Sequence, residues 1–167
     1  MDYSHHVIHN FPENYPWWKK AFANILFFIG GMVIHDRKNL LNNWDFIRST
    51  HTLRKGDVVL VGSLRRLSSY VIEGPVTHGL LYIGKRRFIH AIGDGVEYVS
   101  LHDFFCEYDT MVILRSKKAN REEISRIIEC AKKQVGKPYD YEFTRDAEKF
   151  YCTELIEYVY EKAGCSC

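Results

Sequence analysis

The chain has 167 residues, 46% of them hydrophobic and 26% charged, with a formal net charge of +2. That length fits one domain able to bury a core without disulfide or metal staples. The composition excludes a disordered chain, and so small a net charge argues against nucleic acid as the default partner.

The five cysteines, Cys106, Cys130, Cys152, Cys165 and Cys167, are an odd set without the dense even spacing of a secreted disulfide scaffold. At least one thiol is therefore free or paired outside the chain. Cys165 and Cys167 read as a frayed end rather than a metal or redox pair.

Residues 1–16 are rich in His, Asn, Tyr and Pro and carry no apolar period, which predicts an extended arm. His5, His6 and His9 lie close together there but lack the Cys or carboxylate cluster of a metal site. Trp17, Trp18, Lys19 and Lys20 then lead into a nearly all-apolar run of 14 residues, 21–34, ending in Ile34. Spanning a bilayer takes about 20 residues, and a secretory signal would carry its basic residues at the start. Two readings remain: a helix buried in the core, or an interfacial helix whose aromatic and Lys flanks meet lipid headgroups. Partial burial with a membrane or acyl-chain role is the favoured one. Gly30 and Gly31 would end or kink this helix. With neither a signal nor a span, the expected location is the cytoplasm, with peripheral membrane association through residues 17–34 left open.

Residues 35–54 read as a polar helix or connector, with Leu40, Leu41, Trp44 and Ile47 giving one apolar face. Gly56 and Asp57 open a short strand, V-V-L-V-G-S, and residues 65–74 form a link in which Arg65 and Arg66 suit an anion contact or a solvated loop. From Val76 the pattern predicts two strands joined at Gly84, then Gly93-Asp94-Gly95 and a third strand, an antiparallel meander. A three-residue loop, Gly84-Lys85-Arg86, sets Ile83 opposite Arg87 and Leu80 opposite His90. His78 is then diagonal to His90, with both imidazoles on one face and about 7–8 Å between their positions. A two-residue loop would put them on opposite faces.

A helical turn is expected over 102–106 and another strand over 110–115. Asn120 caps a helix whose acidic first turn precedes the stripe of Ile124, Ile127, Ile128 and Ala131; Cys130, close to that stripe, reads as packing. It ends near Gly136-Lys137-Pro138. The last helix, residues 152–163, carries Leu155, Ile156, Val159 and Tyr160 on one side and stops before Gly164. Cys152 opens it, where unpaired N–H groups favour thiolate over thiol; a small packing residue is the plain alternative.

Gly136-Lys137-Pro138-Tyr139 followed by Tyr151-Cys152-Thr153-Glu154-Leu155 at a helix start resembles the signature of NlpC-type cysteine peptidases. In the ordinary family the cysteine helix precedes the sheet that carries the histidine. Here G-D-V-V-L, T-H-G-L-L-Y-I-G and F-I-H-A come first and the cysteine comes last, as in the circularly permuted branch of YiiX-like proteins and, more distantly, the lecithin:retinol acyltransferases. The resemblance covers residues 56–164. One position departs from it: YiiX-like proteins often carry Glu where this chain has His90.

The resemblance implies an α+β, permuted papain-like fold, an antiparallel sheet or small barrel packed on helices with the catalytic cysteine on the C-terminal helix. Residues 1–55 would form an arm and helical segment, and 56–167 the catalytic domain. Cys152 is implied as nucleophile, its thiolate favoured by the helix end and by His78. His78 is implied as general base and His90 as the group that orients it. The oxyanion would be held by the backbone N–H of Cys152, with Tyr139 as second donor. Tyr151 borders the substrate side and, like Asp140 and Glu154, has a structural reading. The expected reaction is hydrolysis or acyl transfer at an amide or ester of a peptide, cell-wall peptide or acyl-lipid, through a thioester and without cofactor or metal. The rivals are a zinc site on His78, His90 and Cys152, a non-catalytic lipid- or peptide-binding module, and a membrane-recruitment protein built on residues 17–34.

Overall fold

The computed structural model describes residues 7–11, 13–31, 41–63, 76–144 and 147–164. Their centre is a five-stranded sheet of β1 (Val58–Gly62), β2 (His78–Gly84), β3 (Arg87–Ile92), β4 (Gly95–Ser100) and β5 (Thr110–Leu114), in the order β4-β3-β2-β1-β5. Every neighbouring pair is antiparallel. The helices are α1 (Trp17–Gly31), α2 (Asn43–Thr52), α3 (Leu101–Glu107), α4 (Arg121–Gln134) and α5 (Cys152–Lys162). Of the two expected architectures, the described strands form the sheet, with β4 and β5 as its edges.

Side chains alternate across the strands, and both faces are covered. On one face Leu81, Ile89, Ala91 and Val96 pack with Ile127 and Ala131 of α4 and with Leu155, Val159 and Tyr160 of α5. On the other, Val59, Val61, Leu80, Tyr82 and Phe88 pack with Leu53, Leu101, Phe104 and Tyr108. This double burial explains why β2 reads as a continuous apolar run rather than a strict alternation.

The β2–β3 connection differs from the expected three-residue loop. Lys85 and Arg86 form a two-residue turn with φ of 52° and 59°, and the register shifts between Tyr82 and Gly84. Ile83 is the extra residue of a bulge, which offsets the shorter turn. The pairs beyond it, Tyr82 with Phe88 and Leu81 with Ile89, keep the register that sets Leu80 opposite His90. His78 and His90 therefore share a face despite the two-residue turn.

Buried Asp57 fixes the start of β1: its carboxylate accepts from Arg115 Nε and Nη2, each at 2.7 Å, and from the Arg54 N–H at 2.7 Å. The Tyr160 hydroxyl donates to Gly56 O at 2.6 Å, which ties α5 to the same corner. Asn120 caps α4 as expected, accepting from the N–H groups of Glu122 and Glu123 while Glu123 accepts the Asn120 N–H.

The α2 face is a correction. Trp44 is 78% exposed and Ile47 48% exposed, whereas Ser49 is buried and Phe46 meets the Phe105 ring edge-on at 5.2 Å. Asn42 caps α2 through the N–H groups of Trp44 and Asp45, so the helical phase starts at Asn43 and carries Trp44 outward.

Residues 7–11 are docked rather than free. Ile8 is buried and its N–H reaches Asn24 Oδ1 at 2.6 Å; the His9 N–H reaches Asp94 Oδ1 at 2.9 Å. A Cβ on Gly93 would lie 2.8 Å from Phe27 Cε2, so the β3–β4 turn lets α1 approach only because it lacks a side chain. Ala23 is buried, while Trp18, Phe22, Ile25, Leu26 and Ile29 are exposed. His5, His6, Met32 to Leu40, Arg65, Arg66, Cys165 and Cys167 lie outside the described residues.

Candidate active site

Residues 138–144 and 147–150 flank the start of the helix that carries Cys152. Tyr139 and Phe150 form a parallel bridge, closed by Asp140 N–H to Phe150 O at 3.2 Å and Phe150 N–H to Pro138 O at 3.1 Å. Inside the loop, buried Asp140 accepts from the N–H of Glu142 at 3.0 Å and of Thr144 at 2.6 Å, and Lys149 Nζ lies 3.3 Å from it. Burial works to raise the Asp140 carboxyl, but those N–H groups and Lys149 together hold it below the usual carboxylate range. Glu142 in turn pairs with Lys19 of α1 at 2.7 Å.

Tyr151 is the N-cap residue and Cys152 the first residue of α5. Glu154 accepts the Tyr151 N–H at 3.3 Å, and the Tyr151 ring tilts against Phe143 with centroids 5.1 Å apart. This accounts for the structural side of Tyr151 and Glu154: they hold the entry to the helix.

Around the half-buried Cys152 sulfur, the backbone N–H groups of Gly79, Thr153 and Cys152 itself favour the charged form. Gly79 is required by space. A Cβ there would lie 2.9 Å from Ile156 Cδ1, one turn into α5, so only glycine lets the helix start press on β2. Burial pushes the Cys152 thiol up, and this outweighs the three N–H groups that pull it down. The expectation of a favoured thiolate is thereby corrected: the helix end does supply N–H groups, but desolvation of the charge is the larger effect.

His78 immediately precedes Gly79 on β2, the glycine against which the first turn of α5 packs. The His78 Nε2 lies 3.0 Å from His90 Nδ1, and His90 is buried. Tyr108 stacks on His78 at 6.0 Å with an interplanar angle of 15°. Beyond them, His90 Nε2 lies 3.4 Å from Glu97 Oε1, its cross-strand partner on β4. Tyr139 is also near Cys152: burial first, with the Asp140 carboxylate adding to it, pushes its hydroxyl far above the ordinary tyrosine value. It therefore stays protonated and can donate.

Three contributors escaped the sequence reading: Gly79, Tyr108 and Glu97. Glu97 had a signal, because the Gly93-Asp94-Gly95 turn folds β4 back on β3 and sets residue 97 opposite residue 90. For Tyr108, on the segment after α3, nothing in the local pattern pointed to His78.

Among the described residues, no group of three or more His, Cys, Asp or Glu side chains is spaced to hold a metal ion. His78 and His90 turn ring nitrogens on each other instead.

A family model described as a permuted papain-like amidase enzyme of the YaeF/YiiX, C92 family matches residues 52–167. Among solved structures, that of the metalloprotein yiiX from Escherichia coli O157:H7 is similar, at 26% identity with a TM-score of 0.58. The alignment covers 66% of this chain and 66% of that one, so it spans about two thirds of that protein's length. No curated protein matches the chain.

Proposed function

Since the chain belongs to the permuted papain-like amidase family, we propose that it is a cysteine hydrolase cleaving an amide bond with Cys152, His78 and His90. The observation that carries this reading is a cysteine at the first position of the helix packed on Gly79, one residue along β2 from an imidazole held 3.0 Å from a second.

Because burial keeps the resting thiol protonated, the base acts within the attack rather than before it. His78 takes the thiol proton as sulfur bonds to the carbonyl carbon. The carbonyl electron pair moves to oxygen, where the Cys152 N–H and the Tyr139 hydroxyl are the donors. Collapse breaks the C–N bond, the His78 proton goes to the leaving nitrogen, and a thioester remains. Water then loses a proton to His78 and attacks, the C–S bond breaks, and the proton returns to sulfur. An alcohol or amine in place of that water would make the same thioester an acyl donor.

The yiiX relative is described as a metalloprotein. Among the described residues of this chain, no group of three or more His, Cys, Asp or Glu side chains fits a metal.

The test is a panel of peptide, aminoacyl-anilide and acyl-ester substrates. Hydrolysis is expected from the native chain and from neither Cys152→Ser nor His78→Ala; activity retained in Cys152→Ser contradicts the reading.

A second proposal concerns α1. Trp18, Phe22, Ile25 and Ile29 repeat at spacings of four, three and four and are all exposed, which suits a helix lying on a lipid surface. No helix among the described residues is long and apolar enough to cross a membrane. Co-sedimentation with phosphatidylcholine and phosphatidylglycerol vesicles tests this. The Trp18→Glu/Ile25→Glu variant should stay in the supernatant, and equal binding of both chains contradicts the lipid role.

A further inference from the structure

We propose that Glu97 is a positioning residue that fixes the tautomer of His90 and, through it, keeps the second ring nitrogen of His78 unprotonated and able to take the thiol proton. The inference rests on the His78–Cys152 reading above.

It follows from donor and acceptor counts along three side chains. An ionised carboxylate only accepts, so the His90 Nε2 facing Glu97 Oε1 at 3.4 Å must carry the proton. A neutral imidazole has one N–H, which makes His90 Nδ1 an acceptor. That nitrogen lies 3.0 Å from His78 Nε2, so His78 donates through Nε2 and its Nδ1 is left unprotonated. The opposite tautomer reverses every bond. His90 Nδ1–H would then donate to His78 Nε2, the His78 proton would sit on Nδ1, and the base would be spent.

The His90 ring is buried and Glu97 is the carboxylate at its outer nitrogen, held there by pairing across β3 and β4. The contact is long and the Glu97 side chain is 49% exposed, so its effect is a bias between tautomers rather than a large stabilisation. The same exposure makes position 97 tolerant of replacement.

The experiment compares the full chain with Glu97→Gln, Glu97→Ala, Glu97→Lys and His78→Ala. Ring-nitrogen NMR of histidine-labelled protein reads the tautomers, and site-resolved iodoacetamide labelling reads Cys152 reactivity. Wild type and Glu97→Gln, whose amide oxygen still accepts, should show His90 protonated on Nε2. Lysine only donates, so Glu97→Lys should move that proton to Nδ1 and slow Cys152 labelling about tenfold. Its added positive charge would by itself speed labelling, which makes a fall diagnostic. Glu97→Ala should lie between. If His78→Ala slows labelling while Glu97→Lys changes neither tautomer nor rate, the role of Glu97 is overturned and the base role of His78 stands. If His78→Ala leaves the rate unchanged, both fall together.

Discussion

Two helices of this molecule spend their apolar residues in opposite ways. α5 turns Leu155, Val159 and Tyr160 into the sheet, where they are buried, and so fixes the helix start, with Cys152 at its head, against β2 through Ile156 on Gly79. α1 buries little beyond Ala23 and leaves Trp18, Phe22, Ile25, Leu26 and Ile29 exposed. The difference separates position from contact: burial on α5 sets the place of one sulfur atom, whereas the outer face of α1 adds little to the fold and remains open to something outside it.

The sharpest way to break this comparison is at the sulfur. Cys152→Ala should lower amide hydrolysis by a factor of about a thousand or more with little change in thermal midpoint, since it removes the nucleophile but not the helix packing. A comparable loss of folding would mean that Cys152 serves the core. Next come the helices themselves. Leu155→Ala, at a fully buried site, should cost about 2–5 kcal/mol in denaturant unfolding, whereas Leu26→Ala on exposed α1 should stay within about 0.5 kcal/mol. Similar values for the two would erase the contrast.

A smaller effect comes from the loop that precedes α5. Asp140→Asn should cost about 1–3 kcal/mol near neutral pH, because buried N–H groups and Lys149 lose their carboxylate. The carboxyl is held lower in the folded chain than in the unfolded one, so its stabilisation is full above the unfolded carboxylate value. It is lost as pH falls through the lower folded value, and an acid titration of Asp140→Asn should lack that step. The smallest effect lies at the alkaline end. The Cys152 thiol is held up by burial, so the folded state keeps its proton above the ordinary thiol value and stability falls as pH rises there. Cys152→Ser should flatten that slope, and an unchanged slope would argue against a desolvated thiol.

What could be read without coordinates followed local rules. Glycine punctuation and alternation marked the meander, Asn120 and its acidic first turn marked α4, and the Leu155, Val159 and Tyr160 stripe marked α5. The register of His78 and His90 came out correctly although the turn did not. Lys85 and Arg86 are poor markers of a left-handed turn, and the bulge at Ile83 restored the pairing. What stayed hidden depends on depth and on partners distant in sequence. The face of α2 was misassigned because the cap at Asn42 fixes a phase that Trp44 and Ile47 do not reveal. The Cys152 thiol was expected to ionise because a helix end is visible in sequence and desolvation is not. Glu97 required knowing that residue 90 faces residue 97, and Tyr108 that the segment after α3 returns to His78.

The central claim is that Cys152 carries an acyl group taken from the substrate, with His78 as the base. Intact-mass and peptide-mapping measurements on protein quenched during turnover of an activated acyl ester test it most directly. The account predicts one acyl adduct per chain, located on Cys152, formed much more slowly in His78→Ala and absent in Cys152→Ser. An adduct on Cys106 or Cys130, or one that forms equally fast without His78, would contradict it.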